Sequence, residues 1–452
     1  MKKIDFISKY NCFYFIGIGG ISMSALAKHL LSLKKQVFGS DKSKSDEVQE
    51  LINLGITVYN EHNPKNIKGA QVVVYTSAIS ENNPELIYAK SKGLKLVKRA
   101  ELLSNILSHY KNAICVSGSH GKTTCSAMLS RVLDVAKKSP TCFIGGIDKT
   151  FSNYTLGKSQ IAVCEACEYK RNFLLLNSKY KIVLNIDNDH LESFGSISNL
   201  ISDFNTFIKG SIAVINNDDL LSKNLTPTKK ITFAIENVAE YTAKKLKETR
   251  YGYNFIALHN GKKLGKIKLN VKGKHNIYNA LAVISVCHNL GILFKDIKNG
   301  LKMFRSVKRR NEFLGKFRGI KVYADYAHHP NEIKATLLGF KAYSKKDLVI
   351  FQPHTYSRTR LLLNDFVNVL KPINKLVLYK TYPARESYDY SGSESKLCLE
   401  VAKSSKYPPT LCMTEKELFA LLSKEKNIKR AFILGAGDLY NIIKERLIEK
   451  KK

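Results

Sequence analysis

At 452 residues the chain is long enough for about three domains of ~150 residues, and its 44% hydrophobic content excludes a disordered protein. The formal charge is +35, but the lysines come in scattered pairs (Lys34-Lys35, Lys137-Lys138, Lys229-Lys230, Lys345-Lys346) with no recognition motif, so lysine-rich composition accounts for them better than nucleic-acid binding. No uncharged apolar run approaches the ~20 residues of a membrane span. No signal-like h-region precedes Asn11, and nine scattered cysteines suit a reducing compartment, so a cytoplasmic protein without a membrane span is expected.

Residues 13–16 read as a buried strand, followed by Gly17-Ile18-Gly19-Gly20-Ile21-Ser22-Met23-Ser24 and a helical pattern through Leu33. A second strand at 37–40 ends on Asp41, near where a ribose-binding carboxylate falls in dinucleotide folds. Ser22 replaces the third glycine of that fingerprint, so a diphosphate other than NAD fits the loop at least as well. Further strands are expected at 71–75 and 94–97, and Ser77 follows the first of these at a ligand-binding strand end.

The next apolar strand, 113–116, runs into Ser117-Gly118-Ser119-His120-Gly121-Lys122-Thr123-Thr124 and then a helix with Met128, Leu129, Val132 and Leu133 on one face. A polyphosphate needs this order of parts: N–H groups at a helix start, a lysine point charge, and a hydroxyl for Mg²⁺. Val116 stands where the longer phosphate-loop pattern has its first glycine. Downstream, a strand at 161–164 delivers Glu165, and one at 182–187 leads to Asp189 and His190. Acid and imidazole groups at strand ends beside a phosphate loop suit Mg²⁺ and the γ-phosphate. Cys164-x-x-Cys167 lacks a second ligand pair for zinc and reads as structural. Residues 222–272 read as a small β excursion, after which Asn276 and Asn279 lie one helical turn apart.

From about residue 312, strands at 320–323, 348–351, 376–379 and 431–434 alternate with amphipathic stretches, which predicts a second helix-covered parallel sheet. Each strand end carries a polar cluster: Asp325-Tyr326-Ala327-His328-His329-Pro330, then Gln352 to Arg360, Tyr382 to Glu386, and Gly435-Ala436-Gly437-Asp438. His and Arg at such ends suit a carboxylate-bearing substrate.

The Gly-Ser-His-Gly-Lys-Thr-Thr loop at 118–124, the Asn-Ile-x-x-Asp-His-Leu segment at 185–191, the Gly-Lys-His-Asn-x-x-Asn run at 273–279 and the Asp-Tyr-Ala-His-His-Pro turn at 325–330 resemble the Mur ligases, in the right order over nearly the whole chain. The stretches 17–24 and 351–359 are similar to the branch that couples L-alanine to UDP-N-acetylmuramate; a ligase joining a preformed peptide to the same sugar is the alternative. The resemblance implies an α/β protein of three domains. These are an N-terminal Rossmann-like UDP-sugar domain (1–108), a central P-loop ATPase-like parallel sheet (109–308) and a C-terminal Rossmann-like domain (309–452), with hinges near 108–112 and 305–315. It implies that ATP phosphorylates the lactyl carboxylate and that the alanine amine attacks the acyl phosphate. By resemblance, Gly118, Ser119, His120, Gly121, Lys122, Thr123 and Thr124 hold the nucleotide phosphates. Thr123, Glu165 and His190 hold metal, and Asn276 and Asn279 face adenine. His328, His329, Arg358 and Asp325 meet the alanine, the acyl phosphate or the nucleotide. Gly17, Gly19, Gly20, Asp41 and Ser77 serve the UDP-sugar. One stretch, Ala166 to Phe173, and two single positions, Ala324 and Asn311, depart from the family pattern. A dehydrogenase reading of the first glycine loop leaves the lysine loop unexplained.

Overall fold

The computed structural model describes residues 5–187, 194–384, 386–425 and 427–449. They form two compact units, Met1–Asn270 with Asn276–Arg305, and Val271–His275 with Ser306–Lys452.

The first unit carries two sheets. The first contains β1 (Cys12–Ile16), β2 (Gln36–Ser40), β3 (Thr57–Tyr59), β4 (Val72–Tyr75) and β5 (Lys95–Lys98), all parallel, in the order β3-β2-β1-β4-β5. Phe13 to Ile16 are fully buried, as a strand covered on both faces requires, which is why the segment reads as an unbroken apolar run. The chain reverses its winding at β1, so the glycine loop after it opens onto the crevice where such sheets bind ligands.

The second sheet has ten strands: β6 (Asn112–Ser117), β7 (Thr141–Asp148), β8 (Ser152–Thr155), β9 (Ile161–Glu165), β10 (Tyr180–Val183), β11 (Ile212–Asn216), β12 (Lys229–Ala234), β13 (Tyr241–Glu248), β14 (Tyr253–His259) and β15 (Lys262–Leu269). Their order is β15-β14-β13-β12-β11-β10-β6-β9-β7-β8. Strands β12 through β7 of that order are mutually parallel, and β6 lies between β10 and β9. The expected β excursion extends the central sheet. β13 pairs in parallel with β12 through Phe233↔Tyr241, and the β13-β14-β15 meander extends the same sheet.

The strand expected over 182–187 stops at Val183, because the following backbone serves the phosphate loop: the Leu184 N–H donates to Ser117 O, and Asn185 O accepts from the Ser119 N–H. One hydrophobic cluster runs from Phe13, Phe15 and Leu26 beside the first sheet to Phe143, Phe173 and Phe204 beside the second. The hairpin β7–β8 clasps the helix Ile21–Ser32 that follows the glycine loop. The buried Asn153 amide donates to Ile21 O (2.7 Å) and Ser24 Oγ (2.8 Å) and accepts from Lys28 Nζ (2.8 Å).

The second unit holds β16 (Glu312–Phe317), β17 (Ile320–Asp325), β18 (Asp347–Phe351), β19 (Leu376–Tyr379), β20 (Thr410–Cys412) and β21 (Arg430–Leu434), ordered β16-β17-β21-β18-β19-β20. All neighbours are parallel except β16–β17. The carboxyl ends of β17, β21, β18 and β19 therefore share one edge, as the alternating pattern predicts. No described helix is long and apolar enough to cross a membrane.

Candidate active site

In the first unit, β6 ends at the loop of residues 118–121, and the helix Lys122–Val135 begins directly after Gly121. Gly118 (φ 127°) and Gly121 (φ 86°) occupy conformations that side chains avoid, and the loop is closely packed at both. A Cβ on Gly118 would stand 2.9 Å from Asn185 O, and one on Gly121 2.8 Å from Asn279 Oδ1. Asn185 braces the loop further by accepting from the His120 N–H at its Oδ1 (2.8 Å) and donating to His120 O (3.1 Å). His120 Nε2 lies 3.1 Å from Asp187 Oδ2. Among the described residues, the N–H groups of Gly121, Lys122, Thr123 and Thr124 have no acceptor. Four convergent donors at a helix start, with no room for side chains beside them, fit a phosphate group.

Lys122 folds back over this loop. Its ammonium donates to Gly118 O (2.6 Å) and Ser119 O (3.2 Å) and pairs with the buried Glu168 carboxylate at 3.0 and 3.1 Å. Burial works against that charge, but Glu168, with Glu165 behind it, outweighs burial and holds the ammonium above its ordinary pKa. Glu165, at the end of β9, accepts from Thr123 Oγ1 (3.1 Å), Ser126 Oγ (3.3 Å) and the Gly145 N–H (2.5 Å). The hydroxyl and carboxylate oxygens at Thr123 and Glu165 are the hard donors Mg²⁺ takes. His190 lies outside the described residues. Asn276 and Asn279 are buried on the helix His275–Asn289, joined by an Asn279 Nδ2 to Asn276 Oδ1 bond of 3.0 Å, and Asn279 borders Gly121. The Cys164 thiol sits 3.4 Å from Cys115 on the adjacent strand, and both are free cysteines.

The first glycine loop is built as its spacing suggests. Gly17 N–H donates to Ser40 O (2.8 Å), Gly20 N–H to Gly17 O (3.3 Å), and Gly20 caps the helix Ile21–Ser32. Asp41 is turned onto the loop itself, accepting from the Gly19 N–H (2.8 Å) at one oxygen and from Ser43 N–H and Oγ (2.8 Å each) at the other. Ser77 is reached from the departing stretch after Glu165. Lys170 Nζ donates to Ser77 O (3.0 Å) and Asn172 Nδ2 to Ser77 Oγ (3.3 Å), across a kink where Lys170 and Arg171 have φ of 49° and 58°. Sequence reasoning missed Glu168 as the lysine's partner, and Lys170 and Asn172, because each acts across a tertiary contact.

In the second unit the strand ends gather a cationic group. His328 Nδ1 lies 2.9 Å from Tyr326 O and 3.5 Å from Glu332, which also faces Arg310 at 3.6 Å. His329 is buried and caps the helix Pro330–Phe340. Arg358 Nη1 reaches His354 Nδ1 (3.2 Å), and His354 stacks on Tyr382 with centroids 5.5 Å apart. Burial, and then the charges of His328, Arg358 and Arg309, push the His354 pKa down to about 3. Thr355 beside it holds φ 67°, a strained conformation for a β-branched residue. Asp325 is buried with both oxygens taken by the N–H groups of Asn311 (2.7 Å) and Ala327 (2.9 Å), and burial raises its pKa. His354, from the cluster at 352–360, joins the group together with Arg309 and Arg310, none of the three having been named as a site residue.

Three family models match the chain in succession: the Mur ligase family catalytic domain over residues 13–111, the Mur ligase middle domain over 116–287, and the Mur ligase glutamate ligase domain over 309–428. The UDP-N-acetylmuramate–L-alanine ligase of Caldicellulosiruptor bescii is 39% identical over 95% of this chain and 96% of its own length. That of a Hydrogenobaculum species is 39% identical over 96% and 98%. The chain belongs to the Mur ligase family. Among solved structures, the UDP-N-acetylmuramate–alanine ligase of Thermotoga maritima superposes with a TM-score of 0.85 at 29% identity, covering 98% of this chain and 99% of that one. A murein peptide ligase from Psychrobacter arcticus reaches 0.73 at 21% identity over 96% and 98%, a likeness of fold. This Mur ligase therefore carries both the lysine loop and the glycine loop within one compact unit.

Proposed function

We propose that this Mur ligase joins L-alanine to the lactyl carboxylate of UDP-N-acetylmuramate at the expense of ATP, in making a peptidoglycan precursor. The observation that carries the reading is the nearly full-length likeness to enzymes named for that reaction. The lysine loop gives it chemistry. ATP with Mg²⁺ supplies the leaving group, because a carboxylate becomes open to attack by an amine only once it is a mixed anhydride with phosphate.

The chain's own residues then position and neutralise. The N–H groups of Gly121 to Thr124 and the Lys122 ammonium take the phosphates, and the Thr123 hydroxyl with Glu165 holds the metal. Asn276 and Asn279 offer amide edges to adenine. The glycine loop at 17–20 takes the diphosphate of the UDP-sugar, with Asp41 fixing that loop and Ser77 flanking it. His328, His329 and Arg358 are assigned to the alanine and the developing phosphate charge, and Asp325 fixes the turn that presents them. In this division of labour residues 1–108 bind the sugar nucleotide, 109–308 the ATP, and 309–452 the amino acid.

The test is phosphate release with UDP-N-acetylmuramate held fixed and amino acids varied. Release is expected only when ATP, Mg²⁺, the UDP-sugar and L-alanine are all present. Turnover with a tripeptide but not with alanine would overturn the reading.

A further inference from the structure

Within the first unit a narrow cleft separates the glycine-loop helix from the phosphate site. Ser22 lines it from the start of that helix, Gly145 from β7, Glu165 from β9, and Arg99 from the first position of the helix Arg99–Leu107. Its two charged residues are placed differently. Glu165 is supplied with donors by Thr123, Ser126 and Gly145. Arg99 has no hydrogen bond and no ion pair with any described residue, and burial depresses its pKa. A half-buried guanidinium with its donors unused is a site for an anion.

We propose that Arg99 is the residue that reads the lactyl carboxylate of the UDP-sugar. The inference rests on the substrate assignment above and extends it to specificity. An acid tethered to a sugar diphosphate must lie between the loop that holds the diphosphate and the carboxylate that holds the metal, and Arg99 lines the cleft between the two. The flat guanidinium fork matches a carboxylate with two parallel hydrogen bonds, which an ammonium cannot reproduce. A nucleotide sugar lacking the lactyl group leaves the half-buried Arg99 unpaired, so the cleft favours the sugar that carries the acid.

The test is calorimetric titration of the full chain with UDP-N-acetylmuramate and with UDP-N-acetylglucosamine, which is the same sugar nucleotide without the lactyl ether. The native chain should prefer the muramate sugar by on the order of 10- to 100-fold, the worth of a charge-assisted hydrogen-bonded pair. Arg99→Gln should erase that preference by weakening the muramate sugar alone, and Arg99→Lys should restore part of it. Binding of a non-hydrolysable ATP analogue, unchanged in both variants, shows that the phosphate site is folded. Equal losses for both sugars would place Arg99 on the diphosphate and overturn the proposal, as would an unchanged preference. A native chain that binds neither sugar would instead refute the substrate assignment itself.

Discussion

The clasp between the glycine-loop helix and the central sheet gives a prediction whose size follows from its geometry. Asn153 is fully buried and makes three hydrogen bonds: two to neutral partners, at Ile21 O and Ser24 Oγ, and one from the Lys28 ammonium. At about 1 kcal/mol for each neutral bond and roughly 1.5–3 for the charged one, Asn153→Leu should cost about 3–5 kcal/mol before any gain from added apolar contact. Lys28 is itself buried and, among the described residues, would keep only the half-exposed Glu50, at 2.6 Å. The assay is urea unfolding followed by far-UV circular dichroism, since the chain has no tryptophan. The double variant Lys28→Met with Asn153→Leu removes both partners and should recover roughly 1–3 kcal/mol relative to the sum of the single losses. Because Ile21 is the first residue of the helix behind the diphosphate loop, UDP-N-acetylmuramate affinity should fall while ATP-analogue binding holds. A loss under about 1 kcal/mol, or strict additivity in the double variant, would refute the view that Asn153 joins the two sheets.

Two further predictions concern charge. Lys122→Ala should abolish turnover while UDP-N-acetylmuramate binding, read by calorimetry, stays largely intact, because the loop proposed for the sugar nucleotide follows β1 and the lysine's follows β6; loss of both would contradict the division between the loops. His354 titrates near 3 when folded and about 6.5 when unfolded, so on acidification the unfolded chain takes up the proton first. The stability of the second unit should then fall by up to about 1.4 kcal/mol per pH unit from roughly pH 6.5 downward. His354→Gln should flatten that slope in melting temperatures measured from pH 7 to 4, and an unchanged slope would assign it elsewhere.

The readable parts of the fold were those whose burial is two-sided. Phe13 to Ile16, Val72 to Val74 and Ala113 to Val116 are apolar without interruption because sheet neighbours and helices cover both faces. The hairpin β7–β8 left no such mark. It contains Gly145 and Gly146, and β8 is four residues long with a buried asparagine whose partners lie more than 120 residues away in the chain. The run 182–187 kept its alternation past the true end of β10, since no local pattern shows that Asn185 is claimed by the loop at Ser119 and His120. The phosphate site shows the same division. Residue type and spacing announce Lys122, Thr123 and Glu165, whereas Glu168 and Arg99 acquire meaning only from what the fold sets against them. Asp41 stands where spacing suggests a ribose ligand, yet its oxygens are spent on Gly19 and Ser43.

The charges of the phosphate site explain why a carboxylate belongs beside a loop made for anions. Lys122 is paired with Glu168, so this cation and carboxylate cancel before any ligand arrives. A triphosphate and a carboxylate then bring several negative charges into a space where the helix start offsets only about half of one. Left to itself, Glu165 would repel the phosphates it adjoins. Under the proposed function, its place against the Thr123 hydroxyl would become favourable only with a divalent cation between it and the phosphates. Lys122 meets the same constraint from the other side: its ammonium is held by Glu168 and two loop carbonyls, so under the proposed function it would turn to a phosphate by exchanging one anion for another rather than by leaving water. The Lys122–Glu168 pair braces the loop, and under the proposed function tight binding of the nucleotide should depend on a divalent cation.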